Sequence, residues 1–433
     1  MATISWGALE PLDFRSIDFA RYLSLAVTDR AARYHAGDLR FLGLPNHTVE
    51  FFGDGFGYNA AGELATGVIT TFQETVDGQR LGRFTDLAVP VEQFRAGAAP
   101  GQTQPTLAAI LAGDDHIAGS PFADVVIGYG GNDAIDLGAG DDVVFGGAGN
   151  DLINGRSGTD QALLTARQSD YLVVVWDGEV GTVPRTGDAL AADGIDKHAG
   201  VERLGYLGDS SVLQIGADNF KPLDYIASYG DLMNALGANP QAGFDHFIYA
   251  GAYEGRSTSF SGFEYLASYP DLEAAFGTSG DAAAAAHYIT TGRFEGRPVT
   301  FDGLAYIASY VDLSRALGVN DDAGALHYLV FGRDEDRKVT FDPLEYVASN
   351  ADLITAIGAN PDAASAHYIE HGRAERRALH SFDAGQYLDN YDDLRAAFGH
   401  DEHAATVHYI THGFAEHRTD DPNGGAAAAD FLL

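Results

Sequence analysis

Two phases organise the apolar positions of this chain. Between residues 110 and 162 one aliphatic or small residue recurs every nine positions, at Ile117, Val126, Ile135, Val144, Ile153 and Ala162. Each stands two places after an aspartate: Asp115, Asp124, Asp133, Asp142, Asp151 or Asp160. The aliphatic side chain is predicted to point inward from a three-residue strand and fill a core. Two nine-residue steps then complete one turn of a parallel roll, so each loop stacks on the loop eighteen residues later. That places Asp133 over Asp151, Asp124 over Asp142, and Asp142 over Asp160.

The second phase is longer. Phe220, Phe260, Phe301, Phe341 and Phe382 are spaced by 40, 41, 40 and 41 residues. In step with them run His246, His287, His327, His367 and His408, and Arg256, Arg297, Arg337, Arg377 and Arg418. Three ladders in phase define a tandem repeat whose units bury their apolar faces only by stacking. Ser228/Asp231, Ser268/Asp271, Ser309/Asp312, Ser349/Asp352 and Asn390/Asp393 have capping-box spacing, so a helix is predicted to start at each Ser or Asn. It should stop at Gly237, Gly277, Gly318, Gly358 or Gly399. A further helix follows, from starts such as Asn239-Pro240 and Asn360-Pro361. It should run through the histidine to Gly251, Gly292, Gly332, Gly372 or Gly413.

The predicted organisation is multidomain α+β: a mixed N-terminal module at 1–109, the roll at 110–162, and strands and turns at 163–217. Five helical repeats of about 40 residues follow at 218–418, with a tail at 419–433. Composition narrows the function. The chain has 433 residues, 62 acidic against 26 basic, and a formal net charge of −36. Such acidity opposes binding to nucleic acid or to an anionic membrane and fits a protein that meets divalent cations. Cysteine is absent, which excludes disulfides and thiolate-ligated metals. No apolar run reaches the length of a transmembrane segment. The first sixteen residues show no basic region followed by an apolar core, so no Sec-type signal peptide is expected.

The nine-residue step carries chemistry. Gly146-Gly147-Ala148-Gly149-Asn150-Asp151-Leu152-Ile153-Asn154 matches the pattern G-G-x-G-x-D-x-U-x at every position. Its glycines allow backbone angles that turn carbonyl oxygens toward one point, and the aspartate adds a carboxylate. Flexible, oxygen-only coordination is the preference of calcium. The expected ligands to several Ca2+ ions are Asp124, Gly128, Gly131, Asp133, Gly138, Gly140, Asp142, Gly146, Gly149, Asp151, Gly158 and Asp160. The 119 loop, Gly119-Ser-Pro-Phe-Ala-Asp124, lacks two of the glycines.

On these residues the chain resembles the RTX family of type I-secreted proteins. The resemblance extends to Tyr171–Trp176, Asp193-Gly-Ile-Asp196 and Val201-Glu202-Arg203-Leu204, which are similar to the strand-rich cap that follows such repeats. Phe51 to Leu87, with turns at Asn59–Gly62 and Asp77-Gly78, is similar to the β module that precedes them. Asp430-Phe431-Leu432-Leu433 is similar to the ending of type I secretion substrates, which implies the type I secretion machinery as a partner and a Gram-negative bacterial source.

The remaining constellations read mainly as structure. The five histidines, placed at helix starts, are expected to pack or hydrogen-bond rather than bind metal. The arginines are expected to pair with acids of the next unit, such as Asp231 or Asp271. The i, i+4 tyrosines (Tyr225/Tyr229, Tyr265/Tyr269, Tyr306/Tyr310) are expected in the core or between units. No H-E-x-x-H or G-x-S-x-G motif is present. His35 and His47 sit in no motif, and Glu63 and Glu74 cannot be paired from sequence. The reading is a secreted, non-enzymatic, calcium-folded protein of the cell surface or matrix, with a role in adhesion or S-layer-like self-assembly. Two alternatives are a module that binds cell-surface polysaccharide through the helical array and an extracellular enzyme with its site in the N-terminal module.

Overall fold

The computed structural model describes residues 2–7, 11–20 and 47–422. His35 and Asp430–Leu433 lie outside the described residues. Contacts divide the chain into two compact units, Met1–Pro222 with Pro240–Ser257, and Leu223–Asn239 with Thr258–Leu433.

The first unit contains two sheets. Its N-terminal strands are β1 (Thr3–Trp6), β2 (His47–Tyr58), β3 (Leu64–Val76), β4 (Gln79–Thr85) and β5 (Val89–Pro90). The turns at Asn59–Gly62 and Asp77-Gly78 join β2 to β3 and β3 to β4, antiparallel. Six short strands follow at the nine-residue step: β6 (His116–Ala118), β7 (Val125–Ile127), β8 (Ala134–Asp136), β9 (Val143–Phe145), β10 (Leu152–Asn154) and β11 (Gln161–Leu164). Alternate strands fall in alternate sheets, as a roll of two nine-residue steps per turn requires. β6, β8 and β10 pair in parallel in one sheet and β7, β9 and β11 in the other. The inward ladders are Ile117–Ile135–Ile153 and Val126–Val144–Ala162, all nearly inaccessible.

Both ends of the roll are covered by chain that continues its pairing. At one end β1 pairs in parallel with β6, setting Ile4 opposite Ile117. The N-terminal strands and the roll therefore share a sheet, and residue 110 does not separate two bodies. At the other end β12 (Tyr171–Trp176) and β13 (Glu179–Pro184) form a hairpin, and β14 (Asp196–Ala199) pairs in parallel with β10. β15 (Arg203–Tyr206) pairs in parallel with β11 and antiparallel with β16 (Ser211–Gln214). The helix Pro240–His246 packs here as well. Phe244 lies against Trp176 and Phe220, with ring centroids 5.7 and 6.3 Å away. Lys197 pairs with Asp245 at 2.8 Å and with Glu179 at 3.2 Å. The division between units thus falls elsewhere than at residue 218, because this first repeat's last helix buries its aromatic ring in the first unit.

In the second unit each full repeat has three short helices. In one, Ser261 caps Gly262–Ser268 by accepting the Glu264 N–H at 3.2 Å, and in the next Asp302 caps Gly303–Ser309 by accepting that of Ala305 at 2.7 Å. The second helix, Pro270–Phe276, stops at Gly277, whose φ of +74° favours glycine. The third, Asp281–His287, runs on as a π-helical turn, Tyr288–Gly292. The expected helix starts are displaced. Ser268, Ser309 and Asn390 end the preceding helix, and Ser228 and Ser349 directly follow one. The extended residues Tyr269, Tyr310 and Tyr391 take the N-cap position without a side-chain hydrogen bond. The serine hydroxyls are committed elsewhere: Ser228, Ser268 and Ser309 each donate to the carbonyl four residues back, at 2.8 Å. The histidines likewise stand at the end of an α-helical segment, not at its start.

Candidate functional site: the aspartate ladders of the roll

Each roll aspartate points one carboxylate oxygen along the stack. Oδ1 of Asp133 accepts the Asp115 N–H at 2.8 Å, and Oδ1 of Asp151 accepts that of Asp133 at 2.8 Å. On the opposite edge Asp142 accepts from Asp124 at 2.7 Å and Asp160 from Asp142 at 2.9 Å. The loops thus stack eighteen residues apart. The first rungs are completed by the N-terminal segment, where Ala2 N–H donates to Asp115 and Leu12 N–H to Asp124 at 2.6 Å.

The other oxygen has no such partner. Oδ2 of Asp115, Asp133, Asp142, Asp151 and Asp160 is buried and accepts no hydrogen bond. Asp124 differs, because Ser120, standing where an intact nonapeptide has its second glycine, donates its N–H to Oδ2 at 2.6 Å. An ionised carboxylate oxygen out of water and without a donor costs several kcal/mol. The electrostatics show that cost: burial pushes the Asp133 carboxyl up to about 8, with the charges of Asp151 and Asp115 adding to it. Burial pushes Asp142 and Asp151 up to about 6. A cation beside Oδ2 would reverse this.

The glycines shape the space around these oxygens. A Cβ on Gly146 would overlap Oδ2 of Asp151, and one on Gly128 would overlap Oδ2 of Asp133. The later glycines solve a different problem. Gly131, Gly140, Gly149 and Gly158 have φ between +113° and +142°, and a Cβ on any of them would strike the backbone of the loop below. Among the described residues no three His, Asp or Glu side chains converge on one point. A cation here would take one carboxylate from a loop and backbone carbonyls for the rest, which is a calcium-like donor set. The residues fit such ions: Asp133, Asp142 and Asp151 would each hold one at its own loop, and the ions would neutralise the buried carboxylates.

The other candidates are placed as follows. The histidines of four repeats bond to buried tyrosines: Tyr265–His287, Tyr306–His327, Tyr346–His367 and Tyr387–His408, hydroxyl to Nδ1, at 2.9 to 3.2 Å. Those tyrosines are fully buried. The arginines pair inside their own repeat, not with the next: Arg297 with Asp271 at 2.8 Å and Arg337 with Asp312 at 2.9 Å. The reach between repeats belongs to arginines that the sequence reading passed over. Arg293 donates to Asn234 at 2.9 Å, and Arg333 pairs with Glu273. Their signal was a Gly-Arg step at Gly292, Gly332 and Gly372. Glu63 precedes β3 and Glu74 lies within it near the far end, so the two are not brought together.

Sequence reasoning also missed how the ladders continue. Asp151 N–H donates to Asp196 Oδ1 at 2.9 Å, and Asp160 N–H to Glu202 Oε2 at 2.7 Å. The separations are 45 and 42 residues instead of 18, because the β12–β13 hairpin and a helix, Gly187–Ala192, intervene. Leu204, two places after Glu202, keeps the apolar phase and was the available signal. His198 interrupts it after Asp196: it is buried, in register with Ile153, and desolvation pushes it down to about 4.

The model of the RTX calcium-binding nonapeptide repeat matches residues 111–144 and 138–162, in four copies. A comparison with curated proteins finds no match. Among the described residues no helix is long and apolar enough to cross a membrane. The chain therefore carries a segment of RTX nonapeptide repeats, which bind calcium, at residues 111–162.

Proposed function

We propose that this is an exported, non-enzymatic protein whose roll folds on calcium outside the cell and whose helical repeats mediate surface assembly or adhesion. The observation that carries the reading is the set of buried Oδ2 oxygens on Asp115, Asp133, Asp142, Asp151 and Asp160 that accept no hydrogen bond. At low calcium the like charges repel across the stack and hold the roll open. With calcium, ion binding becomes folding free energy. The loop carbonyls of Gly128, Gly131, Gly138, Gly140, Gly146, Gly149 and Gly158 and the carboxylates of Asp124, Asp133, Asp142, Asp151 and Asp160 supply the ligands. Export by a type I system follows from the likeness of the nonapeptides and the C-terminal residues to such substrates.

The array supports the interaction role through its construction. Its tyrosine ladder is consumed by internal packing, so stacked units offer long outer faces for contact. A glycan-stacking face would have to use other aromatics, such as the exposed Phe294 and Phe331. Three experiments test the reading. Far-ultraviolet circular dichroism should show strand gained when calcium replaces chelator; identical spectra would sink the roll. Deleting residues 419–433 should trap the protein in the producing cell, and unchanged secretion would refute type I export. Deleting the array should leave export intact and abolish surface retention.

A further inference from the structure

Past its last nonapeptide the roll makes one more coil, from residues that do not carry the pattern. We infer that Asp193-Gly194-Ile195-Asp196 closes one additional calcium site, whose other half is the loop Gly146–Asp151. This inference rests on the calcium reading of the roll and extends it into the cap.

Three relationships of the nonapeptide loops recur there. Asp196 Oδ1 accepts the Asp151 N–H at 2.9 Å, as Asp151 accepts that of Asp133 at 2.8 Å. Ile195 N–H donates to Asn150 Oδ1 at 2.9 Å, as Asn150 N–H donates to Asn132 Oδ1 at 2.8 Å. Gly194, at φ +73°, lies so close over Gly149 that a Cβ would overlap its carbonyl oxygen, and Gly149 lies the same way over Gly131. β14 and β10 are in register, Leu152 opposite Lys197. Residues 193–196 thus occupy the place of a nonapeptide loop without its sequence.

This coil has one feature the others lack. Asp193 aligns with Ala148 of the nonapeptide, so a second carboxylate enters the loop at a buried position, whereas the second carboxylates of other loops, Asp114 and Asp141, are exposed. Asp193 is 1% exposed. Its Oδ2 accepts the N–H and hydroxyl of Thr165, at 2.9 and 2.6 Å, and the hydroxyl of Tyr171. That fixes the carboxylate plane, and Oδ1 is left buried and without a hydrogen bond, as is Oδ2 of Asp151. Two unpartnered carboxylate oxygens and the carbonyls of two close-stacked loops form a hard, oxygen-only, anionic donor set. Its chemistry selects a divalent cation of the calcium class.

The test is the number of calcium ions held by the full-length protein, read by native mass spectrometry at saturating calcium. Asp193→Asn and Asp196→Asn should each hold one ion fewer than wild type. The side-chain amide introduced by Asp196→Asn would keep an oxygen for the Asp151 N–H, so this variant decides if Asp193→Asn fails to fold. Asp142→Asn, on the opposite edge, should also lose an ion while Asp193 and Asp196 keep theirs, so its combination with Asp196→Asn should lose two. If wild type holds no calcium, the reading of the roll itself fails. If wild type is loaded and Asp196→Asn holds the same number with unchanged affinity, the roll stands and this inference is overturned.

Discussion

The hydroxyl of Ser268 accepts the backbone N–H of Phe301 at 3.0 Å, and through it one helical repeat holds the first ring of the next. The same oxygen accepts the Thr300 N–H at 2.9 Å. Ser228 does this for Phe260, Ser309 for Phe341 and Ser349 for Phe382. Each phenylalanine then stacks on an aromatic ring of its own repeat, Phe301 on Tyr328 at 4.5 Å and Phe382 on Tyr409 at 4.3 Å. The serine ladder thus seats the phenylalanine ladder.

Replacing Ser268 with alanine should therefore cost more than its small side chain implies. Two backbone donors lose their acceptor, and an unsatisfied, sheltered N–H costs about 1–3 kcal/mol. Asp271→Ala, which removes an exposed, solvent-screened ion pair with Arg297, should cost little. Urea denaturation of the calcium-loaded protein, followed by its helical ellipticity, ranks the two. The reverse order would show that the serine bonds do not hold the repeats together.

Gly372 is set by a hydroxyl, not by its own backbone angle. A Cβ there would overlap the hydroxyl of Tyr346, which bonds His367 at 2.9 Å. Gly372→Ala should destabilise by about 1–3 kcal/mol through overpacking. In a Tyr346→Phe background the hydroxyl is gone, and the same glycine change should cost less. A double-mutant cycle measures the coupling; strict additivity would mean the contact is relieved some other way.

In the roll, two glycines three residues or more from any aspartate in sequence should behave oppositely. A Cβ on Gly146 would overlap Oδ2 of Asp151, whereas one on Gly130 would find its nearest atom at 3.5 Å. Gly146→Ala should weaken calcium binding by about tenfold or more, a cost of about 1.4 kcal/mol. Gly130→Ala should leave it near wild type. Calorimetric calcium titration separates them, and equal affinities would argue that Oδ2 takes no part in binding.

The nine-residue and 40-residue phases were legible because each fixes a period in space. A buried residue such as Ile135 must recur where the next coil brings its neighbour, and Tyr265, Tyr306 and Tyr346 must recur where repeats stack. The continuation of the roll through Asp196 and Glu202 was not legible, since an inserted hairpin and helix break the spacing and His198 replaces the aliphatic. The capping-box spacing misled for a related reason. Ser268 and Asp271 stand three apart, as in a capping box, but the serine hydroxyl serves the next repeat and the aspartate serves Arg297. Spacing reports which residues are neighbours; it does not report which of several neighbours a hydroxyl chooses.

The array should also respond to pH through Glu264. Its carboxylate accepts the Gly303 N–H at 2.7 Å, but burial, with the charges of Asp321, Asp302 and Asp362, pushes its carboxyl from an ordinary 4.5 up to about 8. The folded chain therefore keeps a proton that the unfolded chain releases between these values. Its contribution to stability is full below 4.5 and is lost as pH rises toward 8. The urea midpoint of the helical signal, at constant saturating calcium, should fall across this window. Glu264→Gln keeps an oxygen for Gly303 and cannot ionise, so its midpoint should fall less. At the alkaline end the variant should be more stable than wild type by roughly 1–2 kcal/mol. Because Asp302 is also shifted upward by burial and titrates in both proteins, the difference between them isolates Glu264. Parallel pH profiles for the two would show that Glu264 is ionised and solvated in the folded array.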